Sequence, residues 1–229
     1  MESLILTPRL DCLASLVPQG ARLADIGTDH GKLPISLLKA GRVRSAVGSD
    51  IGAGPLRHAE QNARDHGVSL PLRLAPGLDA IAPDECDTVS IAGMGGQTIA
   101  EILDAAPWAI GGGHLLLLQP MTGAPELRQW LWQNGCRIVE ETICREGARR
   151  WYIVISARGG ADKREKPLSA CHVSTALLRA AGAKEYLAHL LRIETRALAG
   201  MEQGSAVDEA RLAAQRDTVT ALRDAMEEL

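Results

Sequence analysis

The chain has 229 residues, a formal net charge of −3, 46% hydrophobic residues and only 3% aromatics, with no phenylalanine. That length allows one α/β domain with a sizeable core and an appendage, and the composition is that of an ordinary globular protein. The charge argues against a protein that coats nucleic acid by bulk electrostatics, while leaving room for a local basic patch. No apolar run reaches the roughly eighteen residues that a membrane span requires, and MESLILTPRL lacks the basic and apolar segments of a secretory signal. Cys12, Cys86, Cys136, Cys144 and Cys171 form no CxxC pair. Odd in number and dispersed, they are expected to be reduced thiols in the cytoplasm rather than disulfides or zinc ligands.

In chain order, "ARLADIG" (21–27) reads as a buried strand, followed by a helix from Leu33 to Lys39. "SAVGSDI" (45–51) is a second strand ending at Asp50, and "GPLRHAEQNARDHG" (54–67) a helix with Pro55 in its first turn and Gly67 at its stop. "LPLRLA" (70–75) and "DTVSIAG" (87–93) are strands three and four; a helix over 97–103 leads to "HLLLLQ" (114–119), strand five. "APELRQWLWQNG" (124–135) is a helix, and "CRIVEETIC" (136–144) and "RWYIVISA" (150–157) form a closing hairpin. Strands separated by helices imply a mostly parallel sheet covered on both faces, here seven-stranded with an antiparallel end. "RGGADKREKP" (158–167) has linker chemistry, and 184–201 and 207–229 read as a helical hairpin. The expected division is a domain over 1–160 and a coiled-coil-like helical extension over 161–229.

The stretch DIGTDHG (25–31) is a glycine turn after a strand, where a nucleotide-like ligand is expected. Its spacing, Gly27-x-x-x-Gly31, lacks the middle glycine of GxGxxG, and it holds Asp25 and Asp29. Two unit charges about 5 Å apart interact by roughly 3 kcal/mol at an effective dielectric near 20, so a diphosphate is disfavoured. S-adenosyl-L-methionine has no phosphate, carries a sulfonium and an ammonium, and suits such a turn. Asp25 and Asp29 then face the positive methionine half, and Asp50 accepts the ribose hydroxyls. Structural roles compete: Asp25 as a loop tie, Asp50 as a helix cap, His30 as a hydrogen-bonder. No metal-ligand spacing is present. "IAGMGG" (91–96) either packs against a neighbour or lets a planar ligand approach the backbone through Ala92, Gly93 and Met94.

DIGTDH, "SDI.AGPL", IAGMGG, "LLLLQPM" and "LRQWLWQNG", standing in this order, resemble the bacterial tRNA (adenine-N1)-methyltransferase family that modifies position 22 of tRNA. The resemblance covers about residues 6–157 and, more loosely, the helical hairpin. It implies a class I methyltransferase (Rossmann-like) α/β fold, S-adenosyl-L-methionine as cofactor, tRNA as partner, and an extension that helps bind the tRNA. On that pattern Ile51, Gly77 and Leu78 join the cofactor set, although Pro76 stands where the family often has Asp. Asp29 and His30 are candidate catalytic residues. Gln119 is a candidate contact to the base, and Arg145, Arg149 and Arg150, beside Trp151 and Tyr152, are candidate RNA contacts. Arg9, Arg42 and Arg44 are further phosphate candidates. Adenine N1 attacks with a lone pair that is already free, so no general base is required. The rival readings are a methyltransferase of a small molecule or protein and a non-catalytic RNA-binding member. The sequence carries no signal for oligomeric state.

Overall fold

A computed structural model describes residues 4–147, 150–204 and 208–229. Thr7 accepts from the Leu10 amide and Pro8 occupies the first turn, starting α1 (Pro8–Leu16). The chain then alternates β1 (Ala21–Ile26), α2 (Lys32–Lys39), β2 (Val43–Asp50), α3 (Ala53–Asp65), β3 (Leu72–Leu74), β4 (Thr88–Gly95) and α4 (Gly96–Ala105). A short α5 (Trp108–Gly111), β5 (Leu115–Thr122), α6 (Ala124–Gln133), β6 (Arg137–Glu146) and β7 (Arg150–Arg158) complete the sheet region. Beyond it lie α7 (Thr175–Leu178), α8 (Ala183–Glu202) and α9 (Glu209–Glu227).

The sheet order is β3-β2-β1-β4-β5-β7-β6. β1 to β5 pair in parallel, and β7 runs antiparallel to both β5 and β6. The expected parallel sheet closed by a hairpin is therefore present, with β7 inserted between β5 and β6. The leucine run of β5 explains its central place, because a strand buried on both faces reads as continuously apolar. Leu116 and Leu118 enter the layer under α4 and α6 with Ile99, Leu103, Leu127 and Leu131. Leu115 and Leu117 enter the opposite layer with Leu13 of α1, Val17 just after it, and Leu33, Ile35 and Leu37 of α2. Parallel strands place all their C-terminal ends on one edge, and every glycine turn singled out in the sequence lies there.

The C-terminal helices rest on β7 and on one another through Ile153, Tyr186, Leu187 and Leu222. Their attachment is also polar. Arg128 on α6 and Glu141 on β6 form a bidentate pair at 2.9 and 2.7 Å, both about 1% exposed. Arg128 also donates to the carbonyls of Cys171 and His172, and Ser174 Oγ to Glu141 at 2.6 Å. The linker-like stretch lies along α6: the amides of Ala161 and Arg164 donate to the carbonyls of Gly135 and Trp132.

One expectation is corrected. Cys12 and Cys144 form a disulfide, with Cα atoms 6.3 Å apart. The partners are separated by 132 residues, and only the docking of α1 across β6 brings them together, so spacing along the chain could not show it. Cys86, Cys136 and Cys171 are free and buried, and burial pushes the Cys86 and Cys136 thiols up to about 11.

Candidate active site

The turn after β1 has three left-handed residues in five positions: Gly27 (φ 69°), Asp29 (φ 51°) and Gly31 (φ 68°). Asp tolerates this region better than most side chains, and Gly adopts it without strain. The amides of Gly27 and Thr28 both donate to the Ser49 carbonyl on β2, at 2.8 and 3.0 Å. Asp50, at the end of β2, accepts from the Asp29 amide at 3.1 Å and from the Gly52 amide at 2.8 Å. The Asp50 carboxylate therefore joins the two turns. Beside it Ile51 is 79% exposed, an apolar side chain held on the surface next to an acid.

Asp25 is buried at the end of β1 and accepts from Thr28 Oγ1 at 2.8 Å. Burial pushes its pKa up to about 6, opposed by the Thr28 hydroxyl, Ser90 and the Arg9 guanidinium, and reinforced by the Asp50 charge. Arg9 reaches this point from α1 and donates to Gln119 Oε1 at 2.7 Å. Gln119 is fully buried at the end of β5; its Oε1 also accepts from the Gly93 amide at 3.2 Å, and its Nε2 donates to the Pro120 carbonyl at 3.0 Å. A small cavity of about 80 Å³ remains between Arg9, Asp25, Gly27, Asp29, His30 and Ala92. The Met94 side chain lies against the Cα of Gly27.

Two turns tied by a carboxylate, an ionisable acid beneath them and an exposed aliphatic residue have the chemistry to receive a ligand with positive charge, paired hydroxyls and a flat apolar part. Residues 6–155 match the family described as "Methyltransferase domain". The chain is 33% identical over 164 residues to the tRNA (adenine(22)-N(1))-methyltransferase of Bacillus subtilis, covering 71% of this chain and 69% of that protein. The chain belongs to this methyltransferase family. The crystal structure of the B. subtilis m1A22 tRNA methyltransferase TrmK superposes with a TM-score of 0.85 at 27% identity, covering 98% of this chain and 100% of that one. A Streptococcus pneumoniae putative tRNA (m1A22) methyltransferase, solved in complex with S-adenosyl-L-methionine, gives 0.82 at 29% identity, covering 97% and 100%.

In this methyltransferase Asp25, Gly27, Asp29, Asp50 and Ile51 lie together at the turns after β1 and β2. Gly77 (φ 52°) packs against Ile102, and the Leu78 side chain is in the core at 2% exposure. Of the two roles the sequence left open for IAGMGG, close packing is seen at Gly96. A Cβ on Gly96 would collide with the Gly123 carbonyl, so Gly96 serves the packing of α4 on α6. Gly93 (φ 80°) instead faces Arg9. His30 Nε2 lies 3.5 Å from Asp29 Oδ1 on the exposed rim, its ring 4.8 Å from that of His58.

The candidate RNA contacts sit elsewhere. The Arg145 guanidinium lies 4.9 Å over the Trp151 ring, and Arg150 Nη1 lies 3.6 Å from Glu146. Arg149 falls outside the described residues. Arg42, expected as a phosphate contact, donates to the carbonyls of Val17 and Ser15. Arg9 is more central than a phosphate contact would be. The signal for it was Thr7-Pro8, a helix start that puts Arg9 in the first turn of α1.

Proposed function

We propose that this methyltransferase uses S-adenosyl-L-methionine to methylate N1 of an adenine in tRNA, at position 22 as in its relatives. The observation that carries the reading is the acid-lined, left-handed turn of residues 27–31, tied to Asp50 beside an exposed Ile51. These residues fit the cofactor: carboxylates suit a sulfonium, an ammonium and ribose hydroxyls, and would repel the phosphates of a dinucleotide. Asp50 would hold the ribose, Asp25 and Asp29 the positive half, and Ile51 and Gly77 would border the adenine. Main-chain groups at Leu78, Ala92 and Gly93 would complete the cleft. Met94 has an unbranched, flexible side chain and lies against Gly27.

S-adenosyl-L-methionine supplies an electrophilic methyl: the N1 lone pair forms the new bond, the C–S bond breaks onto sulfur, and the positive charge passes to the ring without prior loss of a proton. The protein therefore has to align and to stabilise charge rather than abstract a proton. Gln119 is locked by Arg9, Gly93 and Pro120, which makes it a positioning group that fixes the ends of β4 and β5. Asp29 and His30, on the rim of the cofactor turn, would border the reaction centre from the cofactor side. Arg145, Arg149 and Arg150 would hold the RNA backbone, with residues 161–229 as an arm beside the domain of residues 1–160. With tRNA as substrate, the protein would act in the cytoplasm.

The deciding experiment incubates the protein with methyl-labelled cofactor and unmodified tRNA, digests the RNA and identifies the nucleoside. Label in 1-methyladenosine is expected. Label on no RNA would refute the reading and return a small molecule or a protein as the acceptor.

A further inference from the structure

A second cleft, of about 360 Å³, opens beyond the glycine turns. It is bounded by Met121 and Thr122 at the end of β5, Trp151 at the start of β7, and His189 and Glu194 on α8, with Glu126 of α6 at its side. Parallel pairing sets Met94 against Pro120 and Gly95 against Thr122. The β5 wall of this cleft is therefore about one strand spacing, roughly 5 Å, from the end of β4 that borders the cofactor turn. Methyl transfer requires its reacting atoms to come within about 3.5 Å, so an acceptor pocket has to lie this near.

The charges of the cleft select among the parts of an RNA. Arg128 lines it, but its guanidinium is consumed by Glu141 and two carbonyls. Burial holds His172 and His189 below the ordinary histidine value, helped at His189 by the Arg192 charge, which disfavours a positive charge on either ring. Two carboxylates remain, Glu126 and Glu194, and they repel phosphate. Trp151 and Tyr186, with ring centroids 5.9 Å apart, and His189, 6.0 Å from Trp151, give an aromatic surface suited to a base. The volume lies at the small end of ligand pockets, the size for one nucleoside rather than a stem.

We propose that this cleft holds the acceptor base, an amino-purine turned out of the RNA stack, and that the Glu194 carboxylate faces the ring as it becomes cationic. The proposal rests on the functional reading above and deepens it: α8 builds the reaction centre together with the sheet edge. Glu194 Oε2 is held by Gln215 Nε2 of α9 at 2.8 Å, so the helical hairpin fixes the position of the acid.

The test uses the full chain with Glu194→Gln and His189→Trp. The first keeps the size of the side chain and an acceptor for Gln215 while removing the charge; the second fills the cleft from a partly exposed helix position. For Glu194→Gln, kcat on unmodified tRNA should fall roughly tenfold, while KM for tRNA and the cofactor Kd by calorimetry stay within about twofold. A merely structural role would move the melting temperature and Kd instead. The cationic nucleoside 1-methyladenosine, added without cofactor, should give a saturation-transfer NMR signal with the parent and none with His189→Trp. Parent-like kcat and parent-like signal in both variants would overturn the cleft assignment while tRNA methylation by the parent stands. A parent that leaves tRNA unlabelled overturns the functional reading and the cleft with it.

Discussion

Asp25 is a carboxylate buried at the end of a parallel strand, and burial pushes its pKa to about 6 from 3.8 in the open chain. Below pH 3.8 the folded and unfolded chains both hold this proton. As pH rises the unfolded chain releases it first, so stability declines until the folded group ionises near pH 6, leaving a deficit of at most about 3 kcal/mol. Asp25→Asn should therefore melt above the parent at pH 7.5, with the advantage shrinking toward pH 4, and should bind S-adenosyl-L-methionine more weakly. Thermal denaturation across that pH range checks the sign; an advantage that grows on acidification would contradict it. Asp50 makes a separate case. Asp50→Ala removes the acceptor of the Asp29 and Gly52 amides as well as the proposed ribose contact. The cofactor Kd should rise tenfold or more, on the order of 1.4 kcal/mol, and calorimetry showing parent-like affinity would contradict the role. The turn was legible because its chemistry is local: Gly27 and Gly31 mark a glycine turn within five residues, with Asp29 between them. Arg9 was not legible as a partner of Gln119, because the two lie 110 residues apart and meet only through the packing of α1.

At the scale of elements, the alternation from β1 to β5 and the closing hairpin could be read from apolar runs and helix stops. Helices α5 and α7 have four residues each, too short for periodicity to register. The insertion of β7 between β5 and β6 follows from long-range pairing, which no local pattern encodes. The stretch 158–167 read as a linker by composition, yet backbone bonds from Ala161 and Arg164 lay it along α6. The same region depends on Arg128 and Glu141, whose pairing unites α6, β6 and the segment before α7. Removing one member leaves the other charge buried without compensation, which costs about 3–5 kcal/mol. Arg128→Ala and Glu141→Ala should each lower the unfolding free energy by that order in urea titrations. Arg128→Met combined with Glu141→Leu should cost less than either single change, since no buried charge remains. A double variant as unstable as the singles would show that shape, rather than charge, governs this joint.

Across the whole molecule, the Cys12–Cys144 disulfide ties the first helix to the edge strand β6 and closes a loop of 132 residues. Chain-entropy reasoning gives such a closure a ceiling of about 5 kcal/mol. In a reducing environment the two thiols would persist, and the fold should then hold with this bond open. The packing is consistent with that: Leu13 and Val17 are 0% exposed, and Arg9 is held by Gln119 independently of the sulfur atoms. Oxidised parent protein should therefore melt at a higher temperature than the same protein in excess dithiothreitol. Cys12→Ser should melt at the reduced parent's temperature under both conditions. The cofactor Kd should be the same in all three forms, because the cross-link lies outside the cluster of Asp25, Gly27 and Asp50. Alkylation mass spectrometry of unreduced, denatured protein gives the direct count: three reactive thiols are expected of the five cysteines. Five reactive thiols together with a melting temperature indifferent to reductant would show that Cys12 and Cys144 are neighbours without a bond, and that apolar packing alone holds α1 over the sheet.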